Sequence, residues 1–221
     1  MNKLYFNPGC ALSIYKPYME TRIHKYLNEN YKPVEMHNIC CKYDPKIPEG
    51  STIINVCAGC DRRFRSLYEG VSTISLWEVL DGIENFPFPN YNGLTISLHD
   101  PCPIRTKPEV HNAVRSLLNK MNINIEETKF HGTKSICCGD SFYPTIPLEE
   151  VQDRMISRAQ SMPCDEVGVY CVSCIKSMHN GGKKPRHLID LLFGEKTEIQ
   201  TFDTVLWHKE IDEYISTHTG E

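Results

Sequence analysis

The chain has 221 residues, of which 40% are hydrophobic and 24% are charged, so it can bury a substantial core and is not a disordered segment. Its longest apolar runs, such as residues 188–193, are far shorter than the roughly 20 residues that cross a bilayer, so no membrane span is expected. A formal net charge of -4, with lysine and arginine scattered along the chain, argues against nucleic acid as a partner.

Strands and helices alternate in the first half of the chain, and the extended segments run into cysteines. The predicted elements are a strand over residues 3–6, a helix over 15–30, a short extended segment before residue 40, a strand over 52–56 and a short amphipathic helix over 76–82. The cysteines that follow the extended segments are Cys10, Cys40, Cys41, Cys57 and Cys60.

The second half of the chain repeats this order of elements. The predicted elements are a strand over residues 94–98, a helix over 108–121 with proline in its first turn, a short extended segment before residue 137, a strand over 167–170 and a short helix over 188–194 that ends in glycine. The cysteines that follow the extended segments are Cys102, Cys137, Cys138, Cys171 and Cys174.

Both halves therefore contain one cysteine pattern: a single cysteine, a vicinal pair and a Cys-x-x-Cys. The gaps are 29 and 15 residues in the first half and 34 and 32 in the second. Asn7-Pro8 before the first single cysteine matches Asp100-Pro101 before the second. The pattern predicts an α/β fold with two pseudo-repeated Rossmann-like halves, residues 1–90 and 91–195, each a small, mostly parallel sheet with covering helices.

The remaining residues, 196–221, are expected to form a C-terminal helical extension. Val205, Leu206, Ile211 and Ile215 supply an amphipathic pattern in this segment. Because an apolar helical face must be covered, the helix is expected to pack on its own domain or on a partner protein.

The cysteine usage favours free thiols. The first residues of the chain do not resemble a secretory signal, so a reducing cytoplasm is expected, where structural disulfides are rare. Neighbouring cysteines in regular backbone rarely meet the geometry of a disulfide, and the total of 11 is odd. Cys164 lies outside the repeated pattern, and we interpret it as an ordinary buried cysteine.

Several metal or redox chemistries use cysteine at such spacings. Because the carboxyl ends of parallel strands meet at one edge of a sheet, each half can gather its five thiols there. Zinc takes four ligands and would leave one thiol unused in each half, and a thioredoxin-like Cys-x-x-Cys would leave three. Iron–sulfur clusters can use more thiolates, so they are the favoured interpretation, with zinc in one or both halves as the alternative.

The two motifs, with His99-Asp100-Pro101-Cys102 and Cys137-Cys138-Gly139, resemble the tandem cysteine-rich CCG domains of the heterodisulfide reductase family. The same domain occurs in iron–sulfur subunits of glycolate, lactate and glycerol-phosphate oxidation systems. The resemblance covers about residues 3–194, although the gap before the first Cys-x-x-Cys is much shorter than in the family. It implies a non-cubane [4Fe-4S] cluster in each half, held by all five cysteines, and a disulfide that is cleaved between the two clusters.

Residues near the motifs are candidates for a role in the reaction. His99, Asp100 and Arg105 are the predicted catalytic residues, and His37, Asp61, Arg62 and Asp140 are further candidates around the two motifs. His37 or His99 would carry protons to departing thiolates, because histidine titrates near neutral pH. The basic residues near the cysteines would offset cluster charge or attract an anionic substrate, and they are Lys42, Arg62, Arg63, Arg65, Arg105, Lys107 and Lys134.

The sequence thus predicts an iron–sulfur redox protein that reduces a small disulfide with electrons from a partner. The chain has no ferredoxin-type cysteine run and no dinucleotide fingerprint, so a ferredoxin, a flavoprotein or another iron–sulfur subunit would supply the electrons. Two other functions stay open: a non-catalytic electron-transfer subunit of a dehydrogenase system, and a zinc-binding protein.

Overall fold

The N-terminal half of the chain forms a sheet of four parallel strands. Their order is β2-β1-β3-β4, with every neighbouring pair parallel. The central strands carry adjacent apolar residues, such as Ile53 and Ile54, which are fully buried because helices cover both faces of a parallel sheet. The strand bounds are β1 Leu4–Asn7, β2 Glu35–Met36, β3 Thr52–Asn55 and β4 Ser72–Ser75.

A second sheet has the same topology. Its order is β6-β5-β7-β8, and all of its neighbouring strands are parallel. The strand bounds are β5 Leu94–His99, β6 Ile123–Glu126, β7 Glu166–Val169 and β8 Lys184–His187. The predicted α/β fold with two repeated, Rossmann-like halves is therefore confirmed.

Within each sheet, helices form all but one of the crossover connections between strands, as is usual for parallel sheets; residues 37–51 join β2 to β3 without a helix. The helix bounds are α1 Cys10–Tyr15, α2 Pro17–Asn30, α3 Ala58–Leu67, α4 Leu76–Asp81, α5 Pro108–Lys120, α6 Leu148–Gln160, α7 Val172–Asn180, α8 Leu188–Leu192 and α9 Thr204–Thr217. Proline stands in the first turn of both α2 and α5, where its missing N–H costs no intrahelical hydrogen bond. Helix α6 has no counterpart in the described part of the first half and was not among the predicted elements.

The computed structural model describes residues 3–199 and 203–220. The chain divides into two compact units: the first runs to Asn85 and also includes the residues from His208 onward, and the second is Phe86–Trp207. Within the described residues no helix is long and apolar enough to cross a membrane.

The C-terminal helix differs from the predicted extension in the face that it buries. Val205 and Leu206 are exposed, at 46% and 45%, whereas Trp207 and Ile215 are buried. The indole N–H of Trp207 donates to Ser173 Oγ in the second unit, and Ile215 joins a buried cluster in the first. The prediction that Val205 and Leu206 lie on the buried face is therefore wrong, because Trp207 occupies the buried position at the start of the helix.

Candidate metal centres

The cysteines lie where the sheet topology creates a crevice. In the first sheet β1 is followed by β2 on one side and β3 by β4 on the other, so the strand order reverses between β1 and β3. The second sheet has the same reversal, called a topological switch point, between β5 and β7. Ligands of open parallel sheets bind beside the carboxyl ends of the strands at such points. The single cysteine and the Cys-x-x-Cys of each unit follow these two strands directly.

In the first unit, hydrogen bonds connect four thiols: Cys40 with Cys41, Cys41 with Cys60, and Cys60 with Cys57. The fifth thiol, Cys10, interacts electrostatically with Cys41 and Cys57. The structure thus brings together all five cysteines of the first motif. We call this set the first thiol group.

Gly9 allows Cys10 to approach the others. Its φ is 76°, in the left-handed region that favours glycine, and a Cβ atom built at Gly9 would lie 3.0 Å from Cys57 Cβ and 3.3 Å from Cys60 Sγ. Any other residue at this position would therefore force the single cysteine away from the Cys-x-x-Cys.

The second unit contains an equivalent set, the second thiol group. Hydrogen bonds connect Cys102 with Cys137, Cys137 with Cys138, Cys138 with Cys174, and Cys174 with Cys171. The backbone N–H of Gly139 donates to Cys137 Sγ at 3.3 Å, and Ser141 Oγ lies 2.9 Å from the same sulfur. All five cysteines of the second motif are therefore in one group, and Cys137 is its most strongly hydrogen-bonded sulfur.

Hydrogen bonds between thiols lower the pKa of Cys41 and Cys57 in the first group and of Cys137 in the second. Hydrogen bonds from Cys40 and Cys60 lower the pKa of Cys41 to about 4, with smaller contributions from Arg63 and Lys42. In the second group, hydrogen bonds from Cys102 and Cys138 lower the pKa of Cys137. Burial has the opposite effect on Cys10 and raises its pKa to about 12. Since the thiolate is the form that binds metal, each group is prepared for a cation at neutral pH.

The donor sets fit the clusters that the sequence resemblance implies. Each unit offers five soft sulfur donors grouped at one place, which is more than the four that a zinc ion uses. A backbone N–H already points at sulfur in the second group, and Arg63 and Lys42 place positive charge beside the first. Each of the 11 cysteines is a free thiol. Cys164 belongs to neither group. It is half-buried, so its interpretation as an ordinary buried cysteine is wrong, and its thiol donates to Glu126 Oε2 at 3.3 Å.

Two of the predicted catalytic residues, His99 and Asp100, have no solvent-exposed surface. The carboxylate of Asp100 accepts hydrogen bonds from both terminal nitrogens of Arg115, at 2.9 and 3.1 Å, from the Tyr170 hydroxyl and from the Gly132 N–H. Burial is the largest influence on Asp100 and by itself would raise its pKa, but the hydrogen bonds and charge of Arg115, together with the bonds from Tyr170 and Gly132, lower the pKa overall. Asp100 therefore orders the loops beside the second thiol group.

The third predicted catalytic residue, Arg105, is exposed and lines an open cavity of about 630 Å³. Cys137 and Ile136 form part of its wall, together with Phe142, whose ring lies 4.4 Å from the Arg154 guanidinium. Glu150 and Asp153 contribute carboxylates, so the lining is charged but not of one sign. Cys137 is thus the member of the second thiol group that a molecule in this cavity would meet.

The two histidines that were expected to carry protons are buried beside the thiols. His37 lines a small cavity together with Cys10 and Cys60. Burial lowers the pKa of His37, and it lowers the pKa of His99 to about 3, with a further contribution from Arg158. Both rings are therefore neutral at pH 7, so neither holds an imidazolium proton to give to a thiolate.

The other candidate residues divide between surface and interior. Arg62 is exposed, whereas Asp61 is buried and forms an ion pair of 2.9 Å with Arg65. Asp140 pairs at 2.6 Å with Lys176, and both side chains are buried. No sequence signal marks Lys176 or the buried Arg158, because lysine and arginine are normally on the surface.

The fold and the two thiol groups define a class: an α/β protein of two repeated units, each with a cysteine-rich site at the switch point of its sheet. No protein-family model matches the sequence, and no curated protein matches it either. Among solved structures, the chain is similar to Picrophilus torridus aspartate racemase, with 10% identity, a TM-score of 0.35, and coverage of 99% of this chain and 100% of that one. The chemistry of the thiol groups therefore carries the functional conclusion.

Proposed function

We propose that the protein is an iron–sulfur redox protein with one non-cubane [4Fe-4S] centre in each unit. A single observation carries this proposal: in two units of the same topology, five interacting thiols are grouped at the same place. The first centre would be held by Cys10, Cys40, Cys41, Cys57 and Cys60. The second would be held by Cys102, Cys137, Cys138, Cys171 and Cys174.

Such a cluster, when bound, supplies one electron at a time. Two centres match a two-electron reaction, in which a disulfide takes two electrons and two protons and its S–S bond breaks to give two thiols. The chain's own residues favour the thiolate form of the ligands through the Gly139 N–H and the charges of Lys42 and Arg63. A partner protein of the ferredoxin, flavoprotein or iron–sulfur class would supply the electrons.

The cavity beside Cys137 is the proposed entrance for a small disulfide. Its volume of about 630 Å³ is in the range of small-molecule sites. Arg105 is fixed by a hydrogen bond from its Nε to the Ser135 carbonyl, which leaves its terminal guanidinium nitrogens to meet an anionic group of the substrate. We also propose a cytoplasmic location, because 11 reduced thiols are typical of a reducing compartment.

Iron, zinc and acid-labile sulfide per chain, measured on protein purified without oxygen, test the metal part of the proposal. We expect about eight iron atoms and about eight sulfides per chain, two clusters of four each, and no stoichiometric zinc. Cys10→Ser and Cys102→Ser should each abolish one centre and its low-temperature EPR signal. Cys164→Ser is the matched control and should keep the full iron content. Stoichiometric zinc without iron would contradict the proposal.

Anaerobic turnover with a chemical reductant and a panel of small disulfides tests the reaction. Arg105→Met should raise KM for disulfides that carry an anionic group and leave KM for neutral ones unchanged. Lys25→Met removes an exposed positive charge on the first unit and is the control. Clusters that are reduced and reoxidised by a redox protein, without cleavage of any disulfide, would instead indicate the electron-transfer role.

A further inference from the structure

His99 lies at the end of β5, beside the second thiol group. One of its ring nitrogens and the Sγ atoms of Cys138 and Cys174 all lie within 4.8 Å of one another. The side chain of His99 is fully buried, and its Nε2 has no hydrogen-bond partner among residues 3–199 and 203–220. A buried Nε2 without a partner, on a ring placed beside two sulfurs, is available either as a metal ligand or as a hydrogen-bond donor to an occupied centre.

Arg158 distinguishes these two roles. Its Nε donates to His99 Nδ1 at 3.2 Å, and its other nitrogens donate to the Phe130 carbonyl at 2.9 Å and to Ser161 Oγ at 3.2 Å. A guanidinium has donors and no acceptor, so Nδ1 must hold its lone pair toward Arg158. The proton of the neutral ring is then on Nε2. A histidine that binds metal through Nε2 instead carries a proton on Nδ1 and donates it to an acceptor.

We infer that His99 is not a ligand but an Nε2–H donor to the sulfur atoms of the second centre, and that Arg158 is the positioning residue that fixes this tautomer. The inference rests on the proposed iron–sulfur function. A hydrogen bond to sulfur stabilises the reduced, more negative state of a cluster, so it raises the reduction potential of that centre.

The described part of the first unit has no equivalent donor at this strand position. His99 pairs with Val169, two residues before Cys171, and Asn7 pairs with Asn55, two residues before Cys57. Asn7 is therefore the counterpart of His99. Its Nδ2 donates to the His37 carbonyl at 3.1 Å, and the side-chain atom that lacks a partner among the described residues is the acceptor Oδ1. The hydrogen bond from His99 should accordingly raise the potential of the second centre, and Asn7 makes no matching contribution to the first.

A potentiometric titration of the iron-loaded full chain, followed by EPR, tests the inference. His99→Phe should lower the potential of the second centre by about 59 mV, which is a tenfold change in its one-electron equilibrium, and leave the first centre unchanged. Arg158→Met frees the tautomer and should shift the potential in the same direction. His99→Gln retains an N–H donor and should restore part of the shift. The second centre is assigned by its loss in Cys102→Ser.

His111→Phe is the matched control, because His111 is also a buried histidine of the second unit whose Nε2 lacks a partner in the described part of the chain. It should leave both potentials unchanged. Equal potentials in wild type and all His99 and Arg158 variants, with full iron content, would overturn this inference alone. Loss of about half the iron in both His99→Phe and His99→Gln would make His99 a ligand and also overturn it. Absence of iron from the wild-type protein would overturn the proposed function itself.

Discussion

The buried ion pair between Lys176 and Asp140 joins helix α7 to the segment that follows Cys138. The two atoms are 2.6 Å apart, and the side chains are only 4% and 8% exposed. Removing one partner leaves an uncompensated buried charge, so Lys176→Met should lower the free energy of unfolding by about 3–5 kcal/mol. Chemical denaturation measures this change.

A matched control is the exposed pair of Lys25 and Glu29 on α2, whose side chains are 73% and 58% exposed. Lys25→Met should change the free energy of unfolding by less than about 1 kcal/mol. Adding Asp140→Leu to Lys176→Met should restore much of the lost stability, because the unpaired carboxylate is then absent. Equal effects of the two lysine substitutions would contradict a buried, paired Lys176.

The thiols of the metal-free protein should differ in acidity. Cys10 and Cys137 are both partly exposed, but burial raises the pKa of Cys10 to about 12, whereas hydrogen bonds from Cys102 and Cys138 lower that of Cys137. At pH 7 the thiolate fraction of Cys137 is therefore larger than that of Cys10, and only the thiolate attacks iodoacetamide. Mass spectrometry of chelated, reduced protein should find Cys137 alkylated well before Cys10. Cys164, whose pKa is also raised, is the control and should follow the slow course.

At the scale of single residues, the sequence could place the ten repeated cysteines because each follows a recognisable strand or extended segment. It could not reveal the environment of His99 or the pairing of Lys176, since both depend on contacts between residues far apart in the chain. The prolines that follow Asn7 and Asp100 suggested that these two residues are equivalent. The strand registers instead make Asn7 equivalent to His99. Asn7 and His99 each lie three residues before the single cysteine of their unit, so an alignment on Cys10 and Cys102 gives the correct equivalence.

At the scale of elements, close packing between α6 and α7 depends on Gly181. A Cβ atom there would lie 2.1 Å from Ala159 Cβ and 3.3 Å from the Met155 carbonyl oxygen. Both neighbours belong to α6, so Gly181→Ala should push the helices apart and lower the free energy of unfolding by about 1–3 kcal/mol. Gly82 ends α4 with a similar backbone, φ -79° against -85°, but a Cβ there makes only ordinary contacts at 3.6 Å.

Gly82→Ala is therefore a control for backbone effects. It should leave the stability unchanged or raise it by about 0.4–1 kcal/mol, because alanine restricts the unfolded chain. Thermal unfolding of the two variants side by side checks the contrast. Equal stability of Gly181→Ala and Gly82→Ala would contradict the close packing of α6 against Gly181.

The order and approximate bounds of many elements were predictable because hydrophobic spacing and prolines mark them locally. Helix α5, for example, begins at the predicted Pro108 and ends at Lys120, one residue before the predicted end. Helix α6 was missed because it lies in the long gap between Cys138 and Cys171, which the repeat does not mark, although Val151 and Met155 are buried at helical spacing. The buried face of α9 depended on which unit each part of the helix joins, and local sequence does not contain that information.

At the scale of the whole molecule, the first unit is completed by the end of the chain. The Cys40 N–H donates to the His218 carbonyl at 2.9 Å, and the Lys46 ammonium donates to the Gly220 carbonyl at 2.8 Å. Ile215 is buried among residues that include Cys40, Cys41 and Phe64. The segment that follows Trp207 therefore packs against the core and the thiol group of the first unit. The other residues of that unit lie more than 120 positions earlier in the chain.

Truncation after Trp207 should consequently destabilise the first unit and spare the second. Loss of the Ile215 side chain alone should cost about 2–5 kcal/mol, as large-to-small changes in a core do, and truncation also removes the acceptor for Cys40 N–H. Hydrogen–deuterium exchange should show faster exchange in β1 and β3 and unchanged exchange in β5 and β7. Leu206→Ala, an exposed position on the same helix, should alter neither unit, whereas Ile215→Ala should reproduce the effect of truncation in weaker form. Equal loss of protection in both sheets would mean that the two units unfold cooperatively as one. That result would contradict independent stabilities for the units that are divided at Asn85 and Trp207.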